Sequence, residues 1–150
     1  KLWSPAEAIV RCEPFAQEAD MVILPERDAR LLYDIGGDVD EVLITLHRRW
    51  GSTIVMTRGG KGVDAISADG ELMHQDTFPA EPVGRIGGGD AFDAGLLYGW
   101  VKTGDIQRAL VWGTACAAYK YTIPGDLALI DAKQVTTLVS GNDDAMSLNR

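Results

Sequence analysis

Gly84-Arg85-Ile86-Gly87-Gly88-Gly89-Asp90-Ala91-Phe92-Asp93-Ala94-Gly95 sets three consecutive glycines against an acidic residue. An apolar helical pattern follows at once (Phe92, Leu96, Leu97, Trp100, Val101). Glycine has no Cβ, so the backbone there can adopt dihedrals closed to other residues, and a ligand can approach it closely. The N–H groups of a helix's first turn lack partners within the helix, and with the macrodipole they attract anions. Asp90, at the mouth of such a cradle, is placed to accept a proton from a group lying against the helix end. An anion hole beside a carboxylate is what phosphoryl transfer to an alcohol needs. A purely structural reading stands beside this one, because Asp is a favoured N-cap and glycine-rich turns precede many helices. Each glycine costs about 0.5–1 kcal/mol in backbone freedom, which weighs against the structural reading without removing it.

Around this stretch the pattern is one of alternating helices and strands. Ser4-Pro5-Ala6-Glu7 is a capping box with Pro at the first helical position, which predicts a helix from Pro5 to Ala19. Met21-Val22-Ile23-Leu24 is a short apolar run of the kind expected for a strand buried on both faces, ended by Pro25. Glu26 to Tyr33 reads as a short helix. Asp38 to Trp50 reads as a second, with Gly51 as its C-cap. Thr53 to Thr57 is the next buried strand, and strand-helix-strand at this spacing predicts a parallel pair. Gly62 to Ser67 and Glu71 to Thr77 flank the turn Ala68-Asp69-Gly70. Helices are then expected over Asp90 to Lys102 and Ile106 to Tyr121, the second lined by Ala109, Ala115, Ala117 and Ala118. Asp131 caps a last helix to Val139, and Ser140 onward reads as a loose tail. Two buried strands and a hairpin make a thin sheet for so many helices, a shortfall that strands from a preceding segment would remedy.

The 150 residues are 46% hydrophobic, enough for the core of one domain. A net charge of −8 argues against nucleic acid and anionic membranes as partners, both of which call for basic surfaces. It does not oppose ATP, because distant charges are screened beyond about 10 Å. Cys12 and Cys116 fall inside helical patterns, as reduced core thiols would. His47 and His74 have no partners at ligand spacing, so no protein-bound zinc is expected. No apolar run is long enough to span a bilayer and nothing resembles a signal peptide, which reads as a cytoplasmic chain.

The glycine stretch, extended as Arg85-Ile86-Gly87-Gly88-Gly89-Asp90-Ala91-Phe92-Asp93-Ala94-Gly95-Leu96-Leu97-Tyr98-Gly99, resembles the second signature of the ribokinase-like (PfkB) carbohydrate kinases, G-A-G-D-x-F-x-x-G. Lys1-Leu2-Trp3-Ser4 and Lys120-Tyr121-Thr122-Ile123-Pro124-Gly125-Asp126-Leu127 are similar to the 2-dehydro-3-deoxygluconate kinase branch. The resemblance implies an α/β fold with a mostly parallel sheet flanked by helices in three layers. Kinases of that family are longer, with a sugar-binding first half and a small β lid. The resemblance therefore covers their nucleotide-binding and catalytic second half, and these residues alone are expected to have little kinase activity.

By the same resemblance, Gly87, Gly88 and Gly89 form the anion hole and Asp90 is the catalytic base, in contact with the acceptor. Arg58-Gly59-Gly60-Lys61-Gly62 follows the second strand, where ligands of parallel sheets bind, and the family carries a similar glycine loop against ATP there. This assigns Arg58, Gly59, Gly60 and Gly62 to the nucleotide, although a solvated turn explains the same glycines. Thr114 falls where the family often has an Asn near adenine. Its bland reading is a small residue at a helix contact. Asp126 matches an Asp near the acceptor, or else a plain turn residue. Asp93, a turn after Asp90, is expected to complement the helix dipole. Mg²⁺ is expected on the ATP phosphates.

The chain also departs from the family pattern. Gly84-Arg85 replaces the usual Asp-Thr, which leaves open whether a monovalent cation binds. The N-x-x-E element tied to Mg²⁺ falls on Pro25 and Asp28. The implied activity is transfer of the ATP γ-phosphoryl to a sugar or sugar acid, with 2-dehydro-3-deoxygluconate first and fructose or ribose as alternatives. A non-catalytic nucleotide-binding remnant and an α/β domain with purely structural glycines stay open. So does oligomeric state, a homo-oligomer included.

Overall fold

Ser4 opens the first helix as its side chain dictates. Its hydroxyl accepts from the Glu7 amide at 3.3 Å, and the Glu7 carboxylate accepts from the Ser4 amide at 2.9 Å. In the computed structural model the described residues are 2–84 and 86–147, with side chains of the last helix described to Gly141. Lys1 and Arg85 of the motifs above lie outside the described residues. The chain forms two compact units, residues 1–74 and 75–150.

The first unit contains α1 (Pro5–Glu18), β1 (Met21–Pro25), α2 (Glu26–Tyr33), α3 (Val39–Trp50), β2 (Thr53–Thr57), a 3-10 turn (Gly59–Lys61), β3 (Val63–Ile66) and β4 (Leu72–Gln75). The strands make one sheet in the order β1-β2-β3-β4. β1 and β2 are parallel, with Met21 beside Thr53 and Pro25 beside Thr57, as the strand-helix-strand spacing predicts. β2 and β3 are antiparallel, with Ile54 beside Ile66, so the sheet is mixed. β2 and β3 are buried, but β1 is only half-buried, against expectation. It stands at the edge of the sheet among the described residues, which leaves its apolar side chains covered on one side only.

α3 carries a second capping box, Asp38 with Glu41, and ends on Gly51 in the left-handed region at φ +71°. Its inner face supplies Val42, Leu43, Leu46 and Trp50, packed with Ala29, Ile54, Met56 and Ile66. Leu43 and Leu46 are fully buried, each contributing about 2 kcal/mol through lost apolar exposure. Trp50 meets Tyr33 edge to face at 5.2 Å between ring centres. Cys12 is exposed, not buried as expected, because no residue of α1 is fully covered.

The second unit holds α4 (Gly88–Thr103), α5 (Ile106–Tyr121) and α6 (Ala132–Ser147). α4 stops at Gly104, in the left-handed region at φ +66°, and Asp105 caps α5 by accepting from the Arg108 amide at 3.0 Å. The two helices meet along a seam of small residues. A Cβ on Gly95 would lie 2.6 Å from Cys116 Sγ, and one on Gly99 would lie 2.9 Å from the Ala109 Cα. Cys116 belongs to the core of this unit with Phe78, Ala115, Ala118 and Val135, and its burial raises the thiol's pKa. α6 starts at the predicted Asp131 cap but runs on to Ser147, so the segment after Ser140 is helical instead of a loose tail. No helix among the described residues is long and apolar enough to cross a membrane.

Candidate active site

α4 begins two residues earlier than its apolar pattern indicates, and this changes the role of each glycine. Gly87 is the N-cap, in the left-handed region at φ +78°, while Gly88 and Gly89 are the first helical residues. The expected start at Asp90 reflects the poor helix propensity of glycine, which the fold overrides here. Asp90 is therefore the third helical residue and not a cap. The first α-helical bond runs from the Ala91 amide to the Gly87 carbonyl at 2.9 Å. The amides of Gly88, Gly89 and Asp90 precede it and have no carbonyl above them in the helix. The Asp90 side chain is exposed, and Gly89 beside it is open, with nothing within 4 Å of a would-be Cβ. An open carboxylate and a row of first-turn amides therefore share one helix end.

The loop after α5 closes the back of this turn. A Cβ on Gly87 would meet the Asp126 carbonyl oxygen at 2.2 Å, and one on Gly88 would meet the Tyr121 ring at 2.5 Å. Only glycine fits at either position, and at Gly87 its positive φ is required as well. The structure thus brings Gly87, Gly88, Asp90 and the backbone of Asp126 together, with the Asp126 side chain exposed. Upstream, the amides of Val83 and Gly84 both donate to the Tyr121 carbonyl, at 2.8 and 3.3 Å.

Lys120 heads the late motif but has no role assigned from sequence, yet it is fully buried at 0% exposure. Its Nζ donates to the carbonyls of Ile123 at 3.0 Å and Gly125 at 2.8 Å. Its Cε lies 3.2 Å from where a Gly87 Cβ would stand. Gly113, Cys116 and Lys120 fall at helical spacing on one stripe, but that spacing marks Lys120 as buried only once the burial of the first two is seen.

Asp93 does not serve the helix dipole as expected. With α4 starting at Gly88 it sits in the second turn and is half-buried. Burial, and then the nearby Asp90 charge, raise its pKa above the ordinary carboxylate value, so its charge is disfavoured there. Thr114 is buried in α5, where its hydroxyl donates to its own helix, to the carbonyls of Leu110 at 2.9 Å and Val111 at 3.0 Å.

In the first unit, the Arg58 loop follows β2 as predicted. It is closed by backbone bonds from Arg58 to Gly62 at 2.9 Å, Lys61 to Arg58 at 3.2 Å and Gly62 to Gly59 at 3.1 Å. Gly59 and Gly60 are exposed, and Gly62 is buried. The Arg58 guanidinium donates to Asp64 Oδ2 at 2.7 Å and to Glu26 Oε2 at 3.1 Å. Asp64 also pairs with His74, at 2.7 Å. The Asp64 hydrogen bond is the largest influence raising the Arg58 pKa, with Glu26 adding to it against burial. Burial pushes the Glu26 carboxyl up, but Arg30 and Arg58 together outweigh it and the net shift is down. Glu26, directly after β1, therefore holds a carboxylate near the corner where the Mg²⁺ element had fallen on Pro25 and Asp28, and it is occupied by two arginines. Among the described residues no group of three His, Cys, Asp or Glu side chains is placed to hold a metal ion.

The model of the pfkB family of carbohydrate kinases matches residues 2–132. A 2-dehydro-3-deoxygalactonokinase of Haloferax volcanii is 34% identical over 144 residues, covering 95% of this chain and 45% of that protein. The solved 2-dehydro-3-deoxygluconokinase of Thermotoga maritima superposes with a TM-score of 0.81 at 24% identity, over 93% of this chain and 47% of that one. A double mutant of fructokinase from Vibrio cholerae O395, solved with fructose, ADP and a potassium ion, gives a TM-score of 0.76 at 23% identity, over 89% and 44%. At these identities the two superpositions establish the ribokinase-like fold. The chain spans less than half the length of the curated relatives it matches.

Proposed function

The chain belongs to the pfkB family of carbohydrate kinases, and on that footing we propose that it is the nucleotide-binding and catalytic part of an ATP-dependent sugar kinase. The acceptor in this reading is a sugar acid of the 2-dehydro-3-deoxygluconate type. The observation that carries the proposal is the end of α4, where first-turn amides without helical partners stand beside the exposed carboxylate of Asp90.

Asp90 orients the acceptor hydroxyl and takes its proton as the oxygen attacks the γ-phosphorus. The bond to the bridging oxygen breaks and ADP departs. The amides of Gly88 and Gly89 donate to the migrating phosphoryl oxygens, whose charge is spread in a loose transition state. Gly87 lets the chain turn into the helix with those amides facing out, and Asp126 stands near the acceptor side. The exposed Gly59 and Gly60 offer backbone against the nucleotide. Arg58 holds that loop through Asp64 and Glu26, while Thr114, buried with its hydroxyl on its own helix, would act on the base only by positioning α5. Mg²⁺ belongs on the nucleotide phosphates, where it neutralises charge. Gly84 stands where the family carries an Asp, so the potassium ion found with the fructokinase raises the question of a monovalent cation here.

The likeness to the 2-dehydro-3-deoxygalactonokinase of Haloferax volcanii supports a 2-dehydro-3-deoxy sugar acid over fructose or ribose. The test is to co-express the chain with the first half of that kinase and measure ADP release with 2-dehydro-3-deoxygluconate, 2-dehydro-3-deoxygalactonate, fructose and ribose. Acceptor-dependent ADP release with the two sugar acids is expected. Tight MgATP binding with no release for any acceptor would make the chain a non-catalytic remnant.

A further inference from the structure

We infer that Lys120 is this chain's built-in monovalent cation, an ammonium that occupies the corner behind the glycine turn and makes an added potassium ion unnecessary. The inference rests on the proposed anion site. It begins from a misfit: a fully buried ammonium is met by backbone carbonyls and by no carboxylate among the described residues.

Lysine is almost never fully buried unless its charge is matched, because an unpaired ammonium inside a protein costs several kcal/mol. Lys120 has 0% exposure, and no carboxylate pairs with it among the described residues. Its partners are the backbone carbonyls of Ile123 and Gly125, at 3.0 and 2.8 Å. Backbone carbonyls turned onto one point are also how proteins strip and hold potassium. An ammonium donates to the same oxygens, with the difference that it is tethered.

The position joins this charge to the site. Gly84, where the family's Asp is missing, bonds through its amide to the Tyr121 carbonyl, one residue along from Lys120. The loop that receives the ammonium continues to Asp126, whose carbonyl packs on Gly87, and the Lys120 Cε itself lies against Gly87. One side chain thus ties the late loop to the turn and places a fixed positive charge behind the amides that would grip phosphate. A second cation there would meet like charge and find the Ile123 and Gly125 oxygens engaged. Lys120 is a positioning residue, since it reaches the proposed phosphate site through Gly87 and the loop.

The test needs only the chain itself. Thermal midpoints and MgADP dissociation constants are measured in potassium chloride and in tetramethylammonium chloride at equal ionic strength. The wild type is expected to differ by no more than about 1 °C in midpoint, and by less than about twofold in affinity, between the two salts. Lys120→Ala is expected to lose about 5 °C or more, because two carbonyls lose their donor. Potassium or methylammonium, entering the vacated space, is expected to restore about half of that loss. Lys120→Met fills the space without the charge and is expected to respond to neither ion.

A wild type stabilised several degrees by potassium over tetramethylammonium would overturn the inference. So would a folded Lys120→Ala that responds to neither potassium nor methylammonium. If both variants fail to fold, the wild-type comparison of the two salts decides alone. If the cation pattern holds while the wild type binds no MgADP, the proposed kinase function falls and the role of Lys120 stands.

Discussion

Each unit has a glycine-rich turn, and the two are built in opposite ways. At Arg58–Gly62 the backbone bonds close on themselves, and the one charged side chain of interest is held by Asp64 and Glu26. At Gly87–Asp90 the packing falls on Gly87 and Gly88, from Asp126, Tyr121 and Lys120, while Gly89 and the Asp90 carboxylate are exposed and the first-turn amides have no carbonyl of the helix to bond. Glycine content is similar in both and says little by itself. What separates a shaped edge from a reactive centre is which backbone groups the rest of the unit leaves unpaired.

The hardest test of this contrast is Asp90→Asn. In the co-expressed enzyme it is expected to lower kcat by about 10³-fold or more while MgATP still binds. Near-normal turnover would remove the reactive character of the second turn. Gly87→Ala comes next, since a methyl there meets the Asp126 carbonyl and forces a strained φ. A loss of about 3 kcal/mol in chemical unfolding, with weakened phosphate binding, is expected.

Arg58→Ala tests the closed turn. It leaves Asp64 and Glu26 facing each other without their shared cation, at a cost of about 2 kcal/mol in urea unfolding. Glu26 has its pKa lowered in the fold, so its contribution is complete above the ordinary carboxylate pKa of about 4.3 and is lost as pH falls through the lowered value. Arg58→Ala should flatten that acid limb of the stability curve.

Gly60→Ala separates nucleotide contact from folding, because nothing lies within 4 Å of the added methyl and no positive φ is at stake. Stability should stay within about 0.5 kcal/mol, whereas MgATP affinity should fall several-fold if that backbone lies against the nucleotide. The smallest effect is expected at Asp93. Its pKa is raised in the fold, so the charged form is the unfavourable one, and the wild type loses stability as pH rises through the raised value. Asp93→Asn should gain about 1–2 °C at pH 7 in a thermal melt, with the gain vanishing below about pH 4, where the wild-type carboxyl is neutral.

Much of the chain was legible because its signals are local. Ser4 with Glu7, Gly51 and the Asp131 cap mark helix ends through bonds made within a few residues. The α4 start was misplaced because Gly88 and Gly89 are helical only through what packs behind them. The hairpin around Asp69-Gly70 joins β3 to β4, but the antiparallel β2–β3 pair turns through Arg58–Gly62, which the sequence presents only as a glycine loop after a parallel strand. The half-buried state of β1 depends on its place in the sheet, which no five-residue run encodes. At the site, Asp90 and its glycines were readable from spacing. Lys120 was not, because a lysine near a helix end reads as solvated until the folded-back Ile123 and Gly125 carbonyls are seen around it.

The seam between α4 and α5 has a consequence for heredity. Gly95 and Gly99 lie well down the helix whose first turn carries Asp90, and neither side of that seam has room for one more methyl. A saturation library of this chain, sorted for folded protein, should come back depleted at Gly95 and Gly99 and permissive at Val101 on the opposite, exposed side. Drift at those inner positions would tilt the whole rod and carry its tip out of alignment, so the gene can be silenced by codons far from any reacting atom.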